Sequence, residues 1–328
     1  MVQNLSYWLS DTNDINRLWR SILLFGNNTA CYKFALGSTL LEFSSKNIER
    51  ATIEELAIPF SKKISERLKI EDRQGTNPTS SFLDSCRKYN SKEIDVDELI
   101  DATVKDGFRW VLDLFHVVSR EEISQHFYSI SGKGKNRIIH IKDNLLSLDK
   151  SNLNILNKEL DSRWKLVETS WALGIPSQLL DVHIKEDREE LFVVNTFKKR
   201  KPVGKTKWAL NGYQNGKCFY CELHLEELDI TTHVDHVIPF SLRKYITLDI
   251  DHVWNLVNAC QNCNLDKFNK LPSKKFIDNL FFRNEWYILS NHPLKDSIIR
   301  STGKTFTQRK ESISRVYRES ENLMPITW

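Results

Sequence analysis

The chain has 328 residues, of which 40% are hydrophobic and 27% are charged, and its net charge is +4. This composition is typical of a soluble globular protein with room for two domains, and no apolar run approaches the roughly 18 residues that would span a bilayer. The amino terminus lacks the basic and apolar pattern of a secretion signal, so we expect a cytoplasmic protein without a membrane partner. Residues 1–200 are balanced in charge, and the whole positive excess lies in 201–328.

Hydrophobic periodicity predicts that residues 1–197 form an α-rich domain. Helices are expected where apolar residues recur at helical spacing, over 14–25, 30–43, 97–118 and 154–173. Thr52 and Glu55 have the spacing of a capping box, which predicts the start of another helix. Short β-like runs at 137–141 and 191–194 are candidates to pair with each other.

A basic segment separates this region from the rest of the chain. It begins at Lys198 and contains four adjacent cations followed by Pro202. We interpret 198–207 as an exposed linker and 208–328 as a second domain with a helical extension at its end. Contact of the same cations with phosphate groups is equally compatible with the sequence.

Four of the six cysteines form two C-x-x-C pairs in the second domain. They are Cys218, Cys221, Cys260 and Cys263. Tetrahedral zinc takes four thiolates, and two C-x-x-C turns supply them with no open coordination position, so we predict a structural Zn²⁺ site. The other two cysteines, Cys31 and Cys86, have no local partner and are expected in the core.

Between the cysteine pairs lies a strand-like run that ends at Pro239 and contains Asp235 and His236. Hydrolysis of a phosphodiester needs a base that activates water and a cation that steadies the phosphate and the leaving oxygen. A neutral histidine suits the first role near pH 7, and a carboxylate suits a hard cation. An aspartate–histidine pair on its own is weak evidence, because strand ends are often polar.

Two asparagines and two lysines complete the candidate site. Asn255 precedes the second cysteine pair, where an amide can orient a loop through its backbone. Asn264 follows Cys263 on a short predicted helix, and its amide oxygen is an acceptable ligand for Mg²⁺. Lys267 lies three residues further along the same helix face, so we expect it, together with Lys270, to contact nucleic-acid phosphates.

In order and in type, these residues resemble the HNH, or ββα-metal, endonuclease family with a four-cysteine zinc site. The resemblance covers about 208–272 and implies an α+β protein: a mostly α-helical amino-terminal domain followed by a ββα-metal nuclease domain. It implies that His236 is the general base, that Asp235 and Asn264 bind the catalytic Mg²⁺ or Mn²⁺, and that Asn255 positions the loop. Asn264 stands where other members of the family have a histidine.

The function expected from this resemblance is metal-dependent cleavage of DNA in bacterial restriction or anti-phage defence. A homing-type endonuclease of a mobile element is one alternative, and a zinc-dependent nucleic-acid-binding module without catalysis is another. Residues 1–197 are expected to serve target recognition or to dock a protein partner, such as a sensor or ATPase subunit. The sequence has no Walker-type phosphate loop, so any use of ATP would belong to that partner.

Overall fold

The computed structural model of the chain describes residues 14–26, 29–77, 80–118, 121–172, 182–184, 190–194, 200–225, 228, 230–290 and 294–328. The chain divides into two compact units, one within Asn4–Gly174 and the other within Ile175–Trp328. The architecture is mixed, mainly helical with small antiparallel sheets, which confirms the predicted fold class at that level. Among the described residues, no helix combines the length and the apolar character that a membrane crossing needs.

The amino-terminal unit is mainly helical. Its helices are α1 (Ile15–Phe25), α2 (Tyr32–Ser45), α3 (Ile53–Leu68), α4 (Ser81–Asn90), α5 (Val96–Ala102), α6 (Val111–Leu114), α7 (Asp143–Leu146) and α8 (Lys150–Ala172). Its strands are β1 (Arg50–Thr52), β2 (Val117–Val118), β3 (Glu121–Glu122), β4 (Tyr128–Ser131) and β5 (Ile138–Ile141). Helix α2 packs against both α3 and α8, around the fully buried Trp19 and Phe34.

Local signals in this unit are confirmed, but two predictions made from periodicity are wrong. Thr52 and Glu55 form the capping box at the start of α3. The helix expected over 97–118 is broken after α5 by a π-helical turn, Thr103–Gly107. Gly107 ends this turn and packs closely against Phe82. A Cβ at this position would lie 3.1 Å from the ring of Phe82.

The expected pairing of 137–141 with 191–194 does not occur. Strand β5 pairs instead with β1 and β4 in the amino-terminal unit. Residues 190–194 pair with two strands of the carboxy-terminal unit. Matching β propensity does not identify a partner strand, because pairing depends on tertiary packing.

The carboxy-terminal unit contains the two cysteine pairs. Its strands are β6 (Val182–Ile184), β7 (Glu190–Val194), β8 (Arg200–Lys205), β9 (Thr232–His236) and β10 (Leu256–Cys260). Its helices are α9 (Thr206–Asn211), α10 (Gln261–Lys267), α11 (Lys274–Leu289), α12 (Leu294–Thr302) and α13 (Phe306–Leu323). Strand β8 pairs with β7, so much of the segment interpreted as a linker belongs to a sheet.

Two features of this unit position the site. Strands β9 and β10 are antiparallel, with His236 opposite Leu256, and α10 begins directly after β10. Arg283 of α11 is buried and donates hydrogen bonds of 2.6 to 3.3 Å to three backbone carbonyls within 253–256. Helix α11 therefore holds the segment that leads into β10, although it contributes no residue to the predicted site.

Candidate metal centre and active site

The four predicted zinc ligands are brought together by the fold. Their sulfur atoms all lie within 4.8 Å of one another. The Sγ atoms of Cys221 and Cys260 are 3.8 Å apart, and tetrahedral coordination with zinc–sulfur bonds of about 2.3 Å places sulfurs about 3.8 Å apart. The cluster can therefore hold a metal ion such as zinc, as the C-x-x-C spacing predicts.

Backbone hydrogen bonds hold the first cysteine pair against the second. The amide of Phe219 donates to the carbonyl of Asn258 on β10 at 3.0 Å. The amide of Cys260 donates to the Sγ of Cys218 at 3.3 Å. The second of these bonds, from an amide to a sulfur, stabilises the thiolate, which is the form that binds a metal.

The surroundings shift the pKa values of two of these thiols in opposite directions. Burial raises the pKa of Cys218 above its usual value. At Cys260 burial also acts to raise the pKa, but hydrogen bonds from the backbone and side chain of Cys263 lower it below the usual value. A cation that replaced the thiol protons would remove the cost of crowding four acidic groups into this space.

Asp235 lies near the end of β9 and is bonded by one residue from the segment of each cysteine pair. Its Oδ2 accepts a hydrogen bond of 2.5 Å from the hydroxyl of Tyr220, which lies between the first two cysteines. The same oxygen lies 3.0 Å from the ammonium group of Lys267, which ends the helix that carries Cys263. The position of this carboxylate therefore depends on the elements that form the cysteine cluster.

Tyr220 is a permanent donor to this carboxylate. Burial and then the charge of Asp235 raise the pKa of the Tyr220 hydroxyl well above its usual value. The group therefore stays protonated over the whole physiological pH range. Sequence reasoning missed Tyr220, although its place inside a C-x-x-C turn was a usable signal.

Lys267 has a different place from the one that the sequence suggested. Instead of presenting its ammonium to phosphate, the side chain is fully buried and bonds to Asp235 and to the carbonyl of His236, at 2.7 Å. A buried ammonium needs an ionic partner and further acceptors, and this position supplies both. Lys270 is 42% exposed beside Asp266, and its contact with phosphate stays a prediction.

His236 is 2% exposed, and its Nε2 lies 2.9 Å from Oδ1 of Asp251. When the ring is neutral and donates from Nε2 to the ionised carboxylate, the lone pair is on Nδ1. The ring of Phe240 lies against the imidazole, with centroids 5.0 Å apart. Asp251 was also missed, because only the fold of the segment between β9 and β10 brings it to the imidazole.

Asn255 forms hydrogen bonds near both ends of the segment between β9 and β10. Its Oδ1 accepts from the amide of Ile238 at 2.9 Å, and its Nδ2 donates to the carbonyls of Ile238 and Ile250, both at 2.9 Å. The side chain is fully buried. These bonds hold the chain on either side of Phe240 and Asp251, and the loop-positioning role of Asn255 in catalysis stays a prediction.

Asn264 lies on α10 with a partly exposed side chain. It precedes Lys267 by three residues, and residues at this spacing share a helix face. Since Lys267 contacts Asp235, this face of α10 is the one directed toward β9. Lys267 thus joins the carboxylate of Asp235 to the backbone of His236. Asn255 bonds to Ile238, two residues after His236, and Asn264 shares the helix face of Lys267.

Comparisons with protein-family models, with curated proteins and with solved structures find no match to this chain.

The cysteine cluster predicts the metal content of the protein. We expect about one zinc ion per chain in the purified protein, and we expect Cys263→Ser to lose most of it, because a hydroxyl is a poor substitute for a thiolate. Inductively coupled plasma mass spectrometry after gel filtration measures the content. Cys86→Ala, a change at a cysteine outside the cluster, is the matched control. Equal zinc in Cys263→Ser and wild type would contradict the assignment.

Proposed function

We propose that the carboxy-terminal unit is a metal-dependent endonuclease of the HNH type that hydrolyses phosphodiester bonds in DNA. The observation that supports this most is the end of β9, where Asp235 and His236 follow each other along the strand. The carboxylate is held by Tyr220 and Lys267, and the imidazole is held by Asp251. Strand β9, a loop, strand β10 and helix α10 follow in this order, and the second cysteine pair lies where β10 meets α10. This order is compatible with the ββα arrangement that the resemblance to the HNH family implies.

In this proposal His236 is the general base. With its proton on Nε2 and bonded to Asp251, the ring accepts a proton from water at Nδ1. The water oxygen forms a bond to phosphorus, the bond from phosphorus to the 3′ oxygen breaks, and that oxygen takes up a proton from solvent. The products are a 5′-phosphate and a 3′-hydroxyl. Asp251 keeps the ring in the productive tautomer and stabilises the imidazolium that forms.

Asp235 and Asn264 are the residues that would hold the catalytic Mg²⁺ or Mn²⁺. Both described hydrogen-bonding contacts of Asp235 go to Oδ2, so Oδ1 is the carboxylate oxygen suited to a cation. Carboxylate and amide oxygens are the donor types that these ions prefer. When bound, the ion supplies positive charge to the phosphate and the leaving oxygen. The ammonium of Lys267 adds a second positive charge beside the same carboxylate.

Burial of the base constrains how a substrate reaches it. His236 is almost completely covered, with Phe240 against its ring. Nδ1 is buried as well, so side chains near the ring, Phe240 among them, have to move before a phosphate can approach it. The same burial also favours the second candidate function, a zinc-dependent nucleic-acid-binding module without catalysis. For the cellular role we propose restriction or anti-phage defence, which rests on the resemblance alone.

Cleavage of supercoiled plasmid separates these functions. With Mg²⁺ or Mn²⁺, we expect wild type to produce nicked circles, and we expect His236→Ala to be slower by at least about 100-fold, because general-base catalysis contributes that much. Gel electrophoresis measures the rates, and zinc content confirms that the variant is folded. Equal cutting by both proteins would remove His236 from the mechanism. Binding without cutting by wild type would favour the non-catalytic module.

Asp251 is expected to act through His236. Asp251→Asn should slow cleavage by about 10- to 100-fold, the usual effect of losing such a partner. Removing a negative charge beside the ring disfavours the imidazolium, so the acidic limb of the rate–pH profile should move to lower pH. Asp278→Asn, on an exposed face of α11, is the matched control. An unchanged profile with an unchanged rate would show that Asp251 has no part in the reaction.

A further inference from the structure

A strained phenylalanine lies immediately after the helix that contacts Asp235. The amide of Lys270 donates to the carbonyl of Lys267 at 2.9 Å and closes a four-residue turn. Phe268 is the first central residue of this turn, with φ 42° and ψ −117°. These are the angles of a type II′ turn, in which this position is normally glycine because a side chain is strained there.

Burial does not explain a phenylalanine in this conformation. Its side chain is 77% exposed, and its ring stacks on no aromatic ring among the described residues. With 77% of its surface exposed, this side chain gains little from burial within the chain. Strain of this kind is concentrated at sites that bind ligands.

The turn is joined to the segment that covers the proposed base. The hydroxyl of Ser241 donates to Oδ1 of Asn269 at 2.8 Å. Ser241 lies in the 3₁₀ helix Phe240–Lys244, whose first residue packs against His236. The turn that carries Phe268 is therefore a direct neighbour of this helix.

The 3₁₀ helix that is joined to the turn carries exposed basic residues and is followed by an exposed tyrosine. Arg243 and Lys244 are exposed, and Tyr245, directly after the 3₁₀ helix, is 69% exposed. Lys270 closes the turn itself, with Asp266 as its acidic neighbour. Cations beside exposed aromatic rings are the features with which proteins bind unpaired nucleic-acid strands, through phosphate contacts and base stacking.

We propose that Phe268 stacks against an unstacked base of the bound strand, and that the site therefore takes DNA with an unpaired or unstacked base beside the scissile phosphate. Arg243, Lys244 and Lys270 contact the phosphates of the same strand. A fully stacked duplex offers no base face to the ring and is the poorer ligand. This inference rests on the proposed function, since it names the class of DNA that the nuclease site accepts.

Glycine at position 268 separates a binding role from a structural one. Phe268→Gly removes the ring and gives the turn the residue that its geometry favours, so the unfolding temperature should be equal to or above that of wild type. Affinity for a single-stranded oligonucleotide should fall by about tenfold or more. Fluorescence anisotropy with Ca²⁺ in place of Mg²⁺ measures binding without cleavage. Leu323→Ala, another exposed apolar position of this unit, is the control and should bind as wild type does.

A fluorescent base analogue provides the direct readout. With 2-aminopurine at the position beside the cut, binding of wild type should change the fluorescence, and binding of Phe268→Gly should not. Unchanged affinity and an unchanged fluorescence response in Phe268→Gly would overturn the inference. A clear loss of thermal stability in that variant would also overturn it, because the ring would then serve packing. Failure of wild type to cut any DNA, with the binding differences intact, would instead count against the nuclease function.

Discussion

The carboxylate of Asp235 and its two bonds to Tyr220 and Lys267 are the contacts on which the candidate site depends. Each partner comes from one cysteine pair, because Tyr220 lies between Cys218 and Cys221 and Lys267 ends the helix that begins at the second pair. Removing one member of a buried ion pair typically costs about 3–5 kcal/mol, since the other charge is left uncompensated. The carboxylate is therefore held by the two segments that carry the cysteine pairs.

The imidazole depends on a second set of contacts, made by the segment between β9 and β10. Asn255 fastens both ends of this segment, and Arg283 bonds to the carbonyls on either side of Asn255. Within it, Asp251 reaches Nε2 of His236 while Phe240 covers the ring. Two adjacent residues of one strand are thus held by different elements, as the alternation of side chains along a strand requires. In the proposed reaction the carboxylate of Asp235 stays in place, whereas Phe240 moves away from the imidazole of His236.

The sequence predicted the parts of this site that depend on spacing and missed those that depend on tertiary contacts. The C-x-x-C pairs bring four sulfurs together, and the capping box at Thr52 starts a helix, because each involves residues that are close along the chain. Lys267 was expected at the surface, since nothing in a linear sequence shows that a lysine will be buried against a carboxylate. The same limit applies to strand β5, whose partners are set by packing.

The central claim is that the cysteine cluster, through Tyr220, holds the carboxylate that binds the catalytic cation. Titration of the zinc-loaded protein with Mn²⁺, followed by electron paramagnetic resonance, tests it directly. Asp235→Asn should abolish Mn²⁺ binding, and Tyr220→Phe should weaken it by about 10- to 100-fold with its zinc content unchanged. Mn²⁺ affinity equal to that of wild type in both variants would contradict the account.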